Sequence, residues 1–565
     1  MQVYRLIGET RRGGVAFMAL LVLTGSILDF FSVAFFLPIL MFVVSPDIVT
    51  TNSIVSSIYH FFGFSTPLSF MLTIVVAVFA FVVLKSIAVI MITRAKTRYS
   101  LAIGGEVSSK LVQQYLQLDY LSFQQRDRSY ELNKLASYPI VLAGSIILPA
   151  TILLSEGIVT VLIFSGIALY DYRTFLLVIV AVLPLMLLVV LSRRHAQKID
   201  RSLKEKYPAI LRYATMIVDG LPEIKMSSRP RFFEDQLKNV NRSYASTLVH
   251  DQTWQSGTTR LIEVVVAFMI CVLAGYVVAT RQPHEQALLL LGMYAGACFR
   301  IIPSVNRILL AIHQIRTHAH ILEDLNLGPA ITSTPQAPLP IMAISVSARD
   351  LSFGYNERGM LLRNASLSIK KGERIAITGN SGEGKTTFLL LLMGFLKPTA
   401  GAVACDGQVV HDHTAWGGQI GYVPQSPIML NLSIAENIAF GCHPESIDHH
   451  KVRTLLEDFR LSALVDGLPD GTATVIGEHG VKFSGGQRQR LAIARALYRD
   501  PSILLLDEIT NQVQPQMERD ILEALSAKAA EGKTIIAVTH KANPEYFDSI
   551  YRLEDGRFVP EAVTA

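Results

Sequence analysis

Two adjacent acids follow a run of aliphatic residues in the stretch SILLLDEITNQVQP, residues 502–515. The aliphatic run predicts a buried strand, so Asp507 and Glu508 would stand at its end. At that position Asp507 could hold a Mg²⁺ ion that bridges nucleotide phosphates. The carboxylate of Glu508 could orient and deprotonate an attacking water molecule. The alternative is two solvated acids at a strand end, which the preceding apolar run disfavours.

A glycine-rich loop upstream offers the phosphate site that this chemistry needs. The stretch RIAITGNSGEGKTTFLLLLMGF, residues 374–395, predicts a strand, a loop of the form G-x-x-x-x-G-K-T, and a helix. Glycines let backbone N–H groups wrap a phosphate chain, and the helix N-terminus adds its positive end. Lys385 would reach the β- and γ-phosphates, and Thr386 would ligate Mg²⁺. The nucleotide-binding residues expected here are Gly379, Asn380, Ser381, Gly382, Gly384, Lys385, Thr386 and Thr387.

The elements around these residues fall into a membrane part and a nucleotide-binding part. Hydrophobic residues make up 50% of the 565-residue chain, and the mean hydropathy is +0.38, which is unusual for a soluble protein. The four cysteines have no paired spacing, so neither a disulfide framework nor a zinc site is expected. A bilayer core of about 30 Å needs roughly 20 apolar helical residues. Six segments meet that length, at about 14–44, 68–93, 139–169, 174–192, 260–280 and 286–312.

The distribution of basic residues predicts the orientation of these spans. The connection 93–137 carries seven Lys and Arg residues and the connection 192–255 carries twelve, whereas the loop 45–66 carries none. This asymmetry predicts that both termini and both long connections are cytoplasmic. Both connections are rich in polar helix formers, so we expect the helices to continue beyond the bilayer and to turn near 119–128 and 210–220. Because most basic residues cluster beside apolar segments, we expect no nucleic-acid partner.

The second half of the chain has a different character. Residues 328–342, GPAITSTPQAPLPIM, contain four prolines and no helical period, which indicates a linker. From 344 to 560, short Val/Ile/Leu strands alternate with helical stretches and glycine-rich turns, as in a nucleotide-binding α/β domain. We therefore expect a transmembrane domain at 1–325, a linker at 326–342 and a nucleotide-binding domain at 343–565.

The most specific motif is FSGGQRQRLAIARAL, residues 483–497. Here the chain resembles the ATP-binding cassette (ABC) superfamily, for which this stretch is the signature sequence. With six preceding spans in the same polypeptide, the chain resembles an ABC exporter half-transporter. The resemblance implies the type I ABC exporter fold: an α-helical membrane domain of six transmembrane helices with long cytoplasmic extensions, followed by an α/β P-loop nucleotide-binding domain.

The resemblance implies roles for further residues. Tyr355, in LSFGYNER, resembles the aromatic residue that stacks on adenine, although it could also be core packing. Gln425, in GYVPQSP, corresponds to the loop glutamine that senses Mg²⁺ and water, and His540, in IIAVTH, to the switch histidine at the γ-phosphate. ATP and Mg²⁺ are the implied cofactors. Catalysis is thereby expected from Glu508, His540 and Gln425, and metal binding from Thr386, Gln425 and Asp507.

The signature also implies a partner chain. Ser484, Gly485, Gly486 and Gln487 would bind the ATP of a partner domain, so each composite site needs two half-transporters. A homodimer is favoured over a heterodimer.

One stretch departs from the family pattern. After the catalytic Glu the family usually has Ala-Thr-Ser-Ala-Leu-Asp, whereas residues 509–514 are Ile-Thr-Asn-Gln-Val-Gln. The final Asp helps to couple the two ATP sites, and Gln514 can form hydrogen bonds but carries no charge. The signature also begins with Phe483 in place of the common Leu. Because the loop lysine, both acids and the switch histidine are present, we expect hydrolysis to survive with altered coupling from the Asn511–Gln514 stretch.

Charged residues inside apolar segments indicate where a cargo could bind. A charge at mid-bilayer costs about 2.5–3.5 kcal/mol, so such residues usually face protein or a water-filled cavity. In FRIIPSVNRILLAI, residues 299–312, Arg300 and Arg307 fall on one face of a helix that Pro303 can kink. This segment and ILDFFSVAFFLPIL in the first span resemble exporters related to polyprenyl-linked oligosaccharide flippases. The charged candidates are Asp29, Lys85, Glu156, Glu263, Arg300 and Arg307, and all except Glu263 are expected to contact substrate.

Two interpretations of the arginines stay open at this point. Two cavity arginines would suit an anionic head group such as pyrophosphate. Alternatively, an Arg–carboxylate pair, for example with Asp29, would only hold helices together.

These observations predict ATP-driven export or flipping of an amphipathic anion, a lipid-linked oligosaccharide or similar molecule, by alternating access. The expected location is a bacterial inner membrane, in contact with its lipids. One alternative is export of a peptide, a small natural product or a drug. A second is an ATP-gated regulatory subunit of a heterodimer, which the intact catalytic residues disfavour.

Overall fold

The computed structural model describes residues 12–35, 39, 42, 53–170, 172–279, 284–325, 345–355, 359–477, 483–509, 515–540 and 542–561. The chain divides into two compact units. The first comprises Met1–Leu118 and Gln125–Ala330, and the second comprises Asp119–Gln124 and Ile331–Ala565. The linker expected at 326–342 lies outside the described residues.

The first unit consists of helices. They are α1 (Arg12–Ala34), α2 (Ser53–Phe61), α3 (Pro67–Leu116), α5 (Arg128–Ala136), α6 (Tyr138–Val141), a π-helical turn (Leu142–Ile147), α7 (Leu148–Tyr170), α8 (Tyr172–Asp219), α9 (Leu221–Met226), α10 (Pro230–Ala279), α11 (His284–Thr317) and α12 (Ala319–Asp324). The short helix α4 (Tyr120–Gln124) belongs to the second unit.

Three of these helices are much longer than a bilayer is thick. Helices α3 and α10 have 50 residues each and α8 has 48. At about 1.5 Å per residue, 50 residues extend about 75 Å, against a hydrocarbon core of about 30 Å. The predicted helical extensions are therefore confirmed. The first turn falls within 119–128 as expected, and the second begins at Gly220, because the segment before it contains no helix breaker.

Four of the six predicted spans lie in helices that are long and apolar enough to cross a membrane. Within the described residues these helices cover Gly13–Ser32, Pro67–Leu116, Tyr138–Leu169 and Pro230–Ala279. The end of the first predicted span, beyond residue 42, lies outside the described part of the chain. The segments 174–192 and 286–312 lie within α8 and α11. As membrane spans, these two segments stay a prediction.

The second unit contains the predicted α/β domain. Its strands are β1 (Ser345–Tyr355), β2 (Gly359–Lys370), β3 (Arg374–Thr378), β4 (Ala400–Cys405), β5 (Gln408–Val409), β6 (Ile420–Val423), β7 (Ile503–Asp507), β8 (Thr534–Val538), β9 (Ser549–Glu554) and β10 (Arg557–Glu561). Its α-helices after α12 are α13 (Lys385–Leu392), α14 (Ile434–Ile438), α15 (His449–Asp458), α16 (Ser462–Asp466), α17 (Gly485–Tyr498) and α18 (Pro515–Ala530). Four 3₁₀ turns lie at His413–Trp416, Pro444–Ser446, Gly471–Ala473 and Pro544–Tyr546.

Two sheets organise this unit. One is antiparallel, with the order β2-β1-β4-β5. The other has the order β10-β9-β3-β8-β7-β6 and is parallel except for β10. All five residues of β7 are buried. Ile503 and Leu505 belong to one hydrophobic cluster, and Leu504 and Leu506 to another, as the period of two requires. A strand buried on both faces explains the continuous aliphatic run.

The segment Asp119–Gln124 is part of the second unit although α3 and α5 flank it in sequence. Tyr120 and Leu121 pack against the hydrophobic cluster that contains Phe388, and the ring of Tyr120 lies 6.0 Å from that of Phe395. Hydrogen bonds from the hydroxyl and the N–H of Ser122 lower the pKa of Asp119 and begin the helical turn. Residues 119–124 therefore form part of the second unit.

Candidate functional site

The predicted catalytic residues come from neighbouring strands of the parallel sheet. Strand β8 lies between β3 and β7, so the phosphate loop after β3 and the acids at the end of β7 share one edge. His540 follows β8 at the same edge. In sheets of this kind, ligands bind outside the carboxyl ends of the strands. The topology thus brings together residues that lie up to 161 positions apart, from Gly379 to His540.

The phosphate loop has the backbone conformation that only glycine adopts easily. Gly379, Gly382 and Gly384 have φ of 146°, 86° and 102°. A Cβ atom on Gly379 would lie 2.9 Å from the carbonyl oxygen of Leu553, so this position also lacks space for a side chain. The carboxylate of Glu383 accepts hydrogen bonds of 2.7 Å from both the N–H and the side-chain amide of Asn380. Glu383 therefore binds across the loop, a contact that the motif alone did not predict.

Lys385 begins helix α13 and is only 4% exposed. Its Nζ donates hydrogen bonds of 2.8 Å to the carbonyl oxygens of Gly379 and Asn380. The same atom lies 3.9 Å from Oε1 of Glu508. The ammonium group is thus held inside the loop, close to the carboxylate of Glu508.

Polar side chains from three places in the described chain lie close to Glu508. The amide Nε2 of Gln425 donates to its Oε2 at 2.7 Å, and Nε2 of His540 lies 3.3 Å from its Oε1. The third is Lys385. Glu508 has φ of 51°, a left-handed conformation that is rare for a residue with a side chain and that recurs at functional sites. The structure therefore brings together all three residues predicted for catalysis, and their roles remain predictions.

Asp507 lies below the surface and is 3% exposed. Burial raises its pKa, and hydrogen bonds from two hydroxyl groups partly offset this effect. Thr386 Oγ1 donates to Oδ1 at 3.1 Å, and the hydroxyl of Tyr422 donates to Oδ2 at 3.3 Å. Burial, followed by the charge of Asp507, also raises the pKa of Tyr422. Sequence reasoning did not predict a role for Tyr422, although it stands three residues before Gln425.

The donor atoms near Asp507 fit a magnesium ion. The hydroxyl of Thr386 contacts this carboxylate directly, and the carboxylate, hydroxyl and amide groups of the three predicted ligands are the hard oxygen donors that Mg²⁺ prefers. A buried carboxylate of raised pKa would also gain from a cation beside it. Asp507, Thr386 and Gln425 would hold the ion, which would neutralise phosphate charge.

The remaining nucleotide-binding candidates occupy separate places. The hydroxyl of Tyr355 lies 3.4 Å from Oγ1 of Thr387, in the first turn of α13, and its ring partly packs on the core. Ser484 begins α17, where its side chain and that of Gln487 form a reciprocal capping box. Ser484 and Gly485 are exposed and Gly486 is buried. Contact of this segment with the ATP of a partner chain stays a prediction, and residues 510–514 lie outside the described part.

A second group of charged residues connects four helices of the first unit, α1, α3, α7 and α11. Asp29 Oδ1 lies 2.6 Å from Lys85 Nζ, and Asp29 Oδ2 lies 2.8 Å from Arg300 Nη2. Glu156 forms ion pairs with both arginines, with Oε2 at 3.5 Å from Arg300 Nη2 and Oε1 at 3.1 Å from Arg307 Nε. All five residues predicted to contact substrate are therefore joined in one network, which we name the membrane charge cluster. Glu263 instead pairs with Arg260 on its own helix.

Two serines complete the membrane charge cluster. Ser304, on α11 between the arginines, donates to Glu156 at 2.7 Å, and Lys85 donates to Ser32 on α1 at 3.2 Å. Neither serine was predicted from sequence, because a single hydroxyl in an apolar segment gives no signal of its own. The pairing of Arg300 with Asp29, left open by the sequence, is present.

Comparison with known proteins agrees with this geometry. Residues 362–511 match the ABC transporter family. The ATP-dependent lipid A-core flippase of Ralstonia nicotianae is 42% identical over 214 residues, which cover 37% of this chain and 36% of that protein. The ATP-dependent lipid A-core flippase of Saccharophagus degradans is 27% identical over 478 residues, covering 82% and 79%. The match to the Saccharophagus degradans protein is long enough to extend beyond the nucleotide-binding unit into the helical unit.

A likeness in fold extends over nearly the whole chain. A solved structure described as a bacterial Atm1-family ABC exporter with ATP bound has a TM-score of 0.78 to this chain. The sequence identity is 20%, and the match covers 98% of this chain and 95% of the other. The chain therefore contains an ABC transporter domain at residues 362–511, and its fold over nearly its whole length is that of an ABC exporter.

Proposed function

We propose that this chain forms one half of a dimeric exporter that hydrolyses ATP to move an amphipathic anion across the membrane by alternating access. The observation that carries the choice of cargo is the membrane charge cluster. It contains three cations, Lys85, Arg300 and Arg307, and two carboxylates, Asp29 and Glu156. With all five side chains ionised the cluster carries one surplus positive charge, which an anionic head group would neutralise.

The two arginines differ in how an anion could reach them. The side chain of Arg300 is 11% exposed and lies between both carboxylates, whereas that of Arg307 is 46% exposed. A guanidinium binds phosphate-like groups through several hydrogen bonds at once. We therefore expect Arg307 to contact the head group and Arg300 to hold the helices around it.

A lipid is the cargo class that this chain favours. Relatives named ATP-dependent lipid A-core flippases share sequence with both parts of the chain. A lipid with an anionic, glycan-bearing head combines the apolar and charged parts that a cavity between membrane helices would accept. A lipid-linked oligosaccharide is one such molecule.

The remaining arrangement follows the charge distribution of the sequence. The protein would cross a bacterial inner membrane six times, with both termini in the cytoplasm. Two copies would pair so that Ser484 and Gly486 of each chain meet the ATP held by the phosphate loop of the other. A homodimer is the simpler arrangement, because the chain carries a full set of catalytic residues.

The test is ATP hydrolysis and lipid movement by the purified chain in liposomes. We expect hydrolysis that depends on Mg²⁺ and rises when a bacterial extract containing polyprenyl-pyrophosphate glycans is added. Movement of a fluorescent analogue of that lipid should require ATP and should stop in Glu508→Gln. Hydrolysis indifferent to the extract would instead favour a peptide or small-molecule cargo. A chain that hydrolyses no ATP alone would point to a missing partner subunit.

A further inference from the structure

Outside the nucleotide site and the membrane charge cluster, one group of titratable side chains joins three helices. Asp251, on α10, accepts a short hydrogen bond of 2.6 Å at Oδ1 from Nε2 of His313 on α11. Nε2 of His195, on α8, lies 3.9 Å from the same oxygen. Gln255 donates to the other carboxylate oxygen at 2.8 Å. Two imidazoles from different helices thus share one carboxylate.

The rings in this group are stacked, His313 is buried, and His195 and Trp254 are partly buried. The ring of His195 lies 4.8 Å from that of Trp254, with an interplanar angle of 19°, and 6.1 Å from that of His313. His313 is 3% exposed. Three buried polar atoms here have no hydrogen-bond partner among the described residues: His195 Nε2, His313 Nδ1 and Trp254 Nε1. Orphaned polar atoms are rare in folded proteins and call for an explanation at each site.

The charged groups around Asp251 can accommodate one protonated imidazole but oppose a second. Besides Asp251 and His313, His195 faces Lys198 on its own helix and His250 on α10. His318, further along the chain after α11, senses both Asp251 and the His320–Asp200 pair that joins α12 to α8. Near His195 a single carboxylate therefore faces three other basic groups, and that carboxylate already accepts hydrogen bonds from His313 and Gln255. A proton on His195 would add a charge with no free partner.

We propose that His195, Asp251 and His313 form a proton-binding site that controls the packing of α8 and α10 against α11. While His195 is neutral, it stacks between Trp254 and His313 and the three helices stay packed. When His195 binds a proton, the new charge faces Lys198, His250 and His313, and the helices separate so that water can solvate it fully. The ligand of this site is the proton itself.

The direction of the pKa agrees with this geometry. Burial, followed by the charge of His313, lowers the pKa of His195, and Asp251 offsets this only in part. The face of Trp254 attracts a cation, yet the pKa is still lowered. For Asp251, burial raises the pKa, but the hydrogen bond and charge of His313 outweigh it and lower the pKa. Asp251 therefore stays ionised while His195 titrates.

The sign of the pH effect follows from linkage. In the separated state the pKa of His195 would return towards about 6.5, the ordinary value for histidine. The packed state binds fewer protons at His195 than the separated state. Packing is therefore fully favoured above about pH 6.5 and weakens as the pH falls towards the lowered pKa that His195 has in the packed state. This pH effect does not depend on which cargo is carried. Among the described residues no group of three His, Cys, Asp or Glu side chains is arranged to hold a metal ion.

The experiment measures the distance between α10 and α11 directly. Spin labels would be placed at Val249 and Gln314, two positions on these helices beside the site, in the full chain with its native cysteines replaced and reconstituted without nucleotide. Between about pH 7.5 and about pH 5.5 we expect the distance distribution to shift to longer values. His195→Phe keeps a stacking ring but cannot titrate, so it should lose the shift and remain at the short distance. His195→Gln provides the same test if the Phe variant does not fold.

The controls distinguish protonation of His195 from protonation elsewhere in the chain and from metal binding. His449→Gln, at an exposed histidine of the nucleotide-binding unit, should retain the full shift. A wild-type distance that does not change with pH, or a shift that persists in both His195 variants, would overturn the proposal. A distance that responds to zinc or to a chelator at constant pH, rather than to protons, would also overturn it. Because the readout is a distance, failure of lipid transport leaves the result interpretable.

Discussion

The guanidinium Nη2 of Arg300 lies 2.8 Å from Oδ2 of Asp29, a residue 271 positions earlier in the chain. This contact joins α1 to α11, and Glu156 adds a third helix through the same guanidinium. Arg300 therefore compensates two carboxylates at once. Its removal would delete both contacts, although Asp29 would keep its pair with Lys85 and Glu156 its pair with Arg307.

Arg300→Ala is expected to destabilise the folded membrane unit. The loss of a hydrogen bond between charged groups costs about 1.5–3 kcal/mol, and the bond from Arg300 to Asp29 joins two helices. Thermal unfolding in lipid nanodiscs should show a lower midpoint and less folded protein. If Arg300 instead contacts the cargo, which is the other interpretation of the sequence, the variant should lose transport selectively while expression stays normal. A stable Arg300→Ala protein would support that hypothesis and contradict the structural role given to this residue.

Arg307→Ala should have the opposite profile. Its side chain is nearly half exposed and Ser304 still donates to Glu156, so the folded protein should keep its thermal midpoint. Stimulation of ATP hydrolysis by an anionic lipid should fall about tenfold, as expected for the loss of one charge-assisted contact. Arg260→Ala, at an exposed arginine paired along its own helix, is the matched control. Equal loss of stimulation in both variants would exclude a specific anion contact.

Glu508→Gln should lower the rate of ATP hydrolysis about 10²- to 10⁴-fold, because the amide cannot accept a proton from water. Nucleotide binding should persist, since Gln425, His540 and Lys385 can still contact the side chain. Fluorescent ATP binding and phosphate release would be measured on the same sample. Glu545→Gln, at an exposed glutamate, should retain the wild-type rate. Hydrolysis at an undiminished rate in Glu508→Gln would rule out the proposed base.

Tyr422→Phe should weaken metal binding without abolishing catalysis. The hydroxyl is one of two donors that orient Asp507, and loss of a partner that positions a metal ligand typically costs about tenfold or more in affinity. We expect the half-saturating Mg²⁺ concentration to rise about tenfold and the rate at saturating Mg²⁺ to stay close to wild type. Mn²⁺ binding with an ATP analogue, followed by electron paramagnetic resonance, gives a readout independent of turnover.

The matched control for this prediction is Tyr551→Phe. Tyr551 lies in β9 and packs against the same hydrophobic cluster as Tyr422, so the substitution removes an equivalent hydroxyl from the same domain. Its metal dependence should equal that of the wild type. If both variants shift alike, the effect of Tyr422→Phe reflects general packing rather than orientation of Asp507.

Gln514→Asp should change the coupling between the two ATP sites. The substitution introduces the Asp that the family resembled by this sequence usually has six positions after the Glu that corresponds to Glu508. The dependence of hydrolysis on ATP concentration should become more cooperative, while the rate at saturating ATP changes little. An unchanged Hill coefficient would indicate that this position does not limit coupling in this chain.

Each part of the predicted nucleotide site is a local pattern, so the sequence alone could indicate it. A strand, a glycine loop and the start of a helix follow one another between residues 374 and 392. The conformation of each is determined mainly by the few residues that form it. The adjacency of β3, β8 and β7 then follows from parallel packing. Tyr422 was missed because its contact with Asp507 depends on the register of β6 against β7, which a single strand does not reveal.

The membrane charge cluster and the proton-binding site were harder to predict. Charged residues in apolar segments could be identified one by one, but their pairing depends on how α1, α3, α7 and α11 pack, at separations of up to 271 residues. Similarly, His195, Asp251 and His313 carry no motif and lie on three different helices. Their proximity depends on how the three helices pack together, which helical periodicity does not predict.

The unbroken length of α3 has a mechanical consequence. A rod of 50 residues is about 75 Å long, so a tilt of about 5° about one end displaces the other by about 6 Å. That displacement exceeds one helical turn of rise. A tilt too small to alter side-chain packing at one end of α3 can therefore produce a large movement at the other end. Helix α10 has the same length, so an equal tilt would move its far end by the same distance.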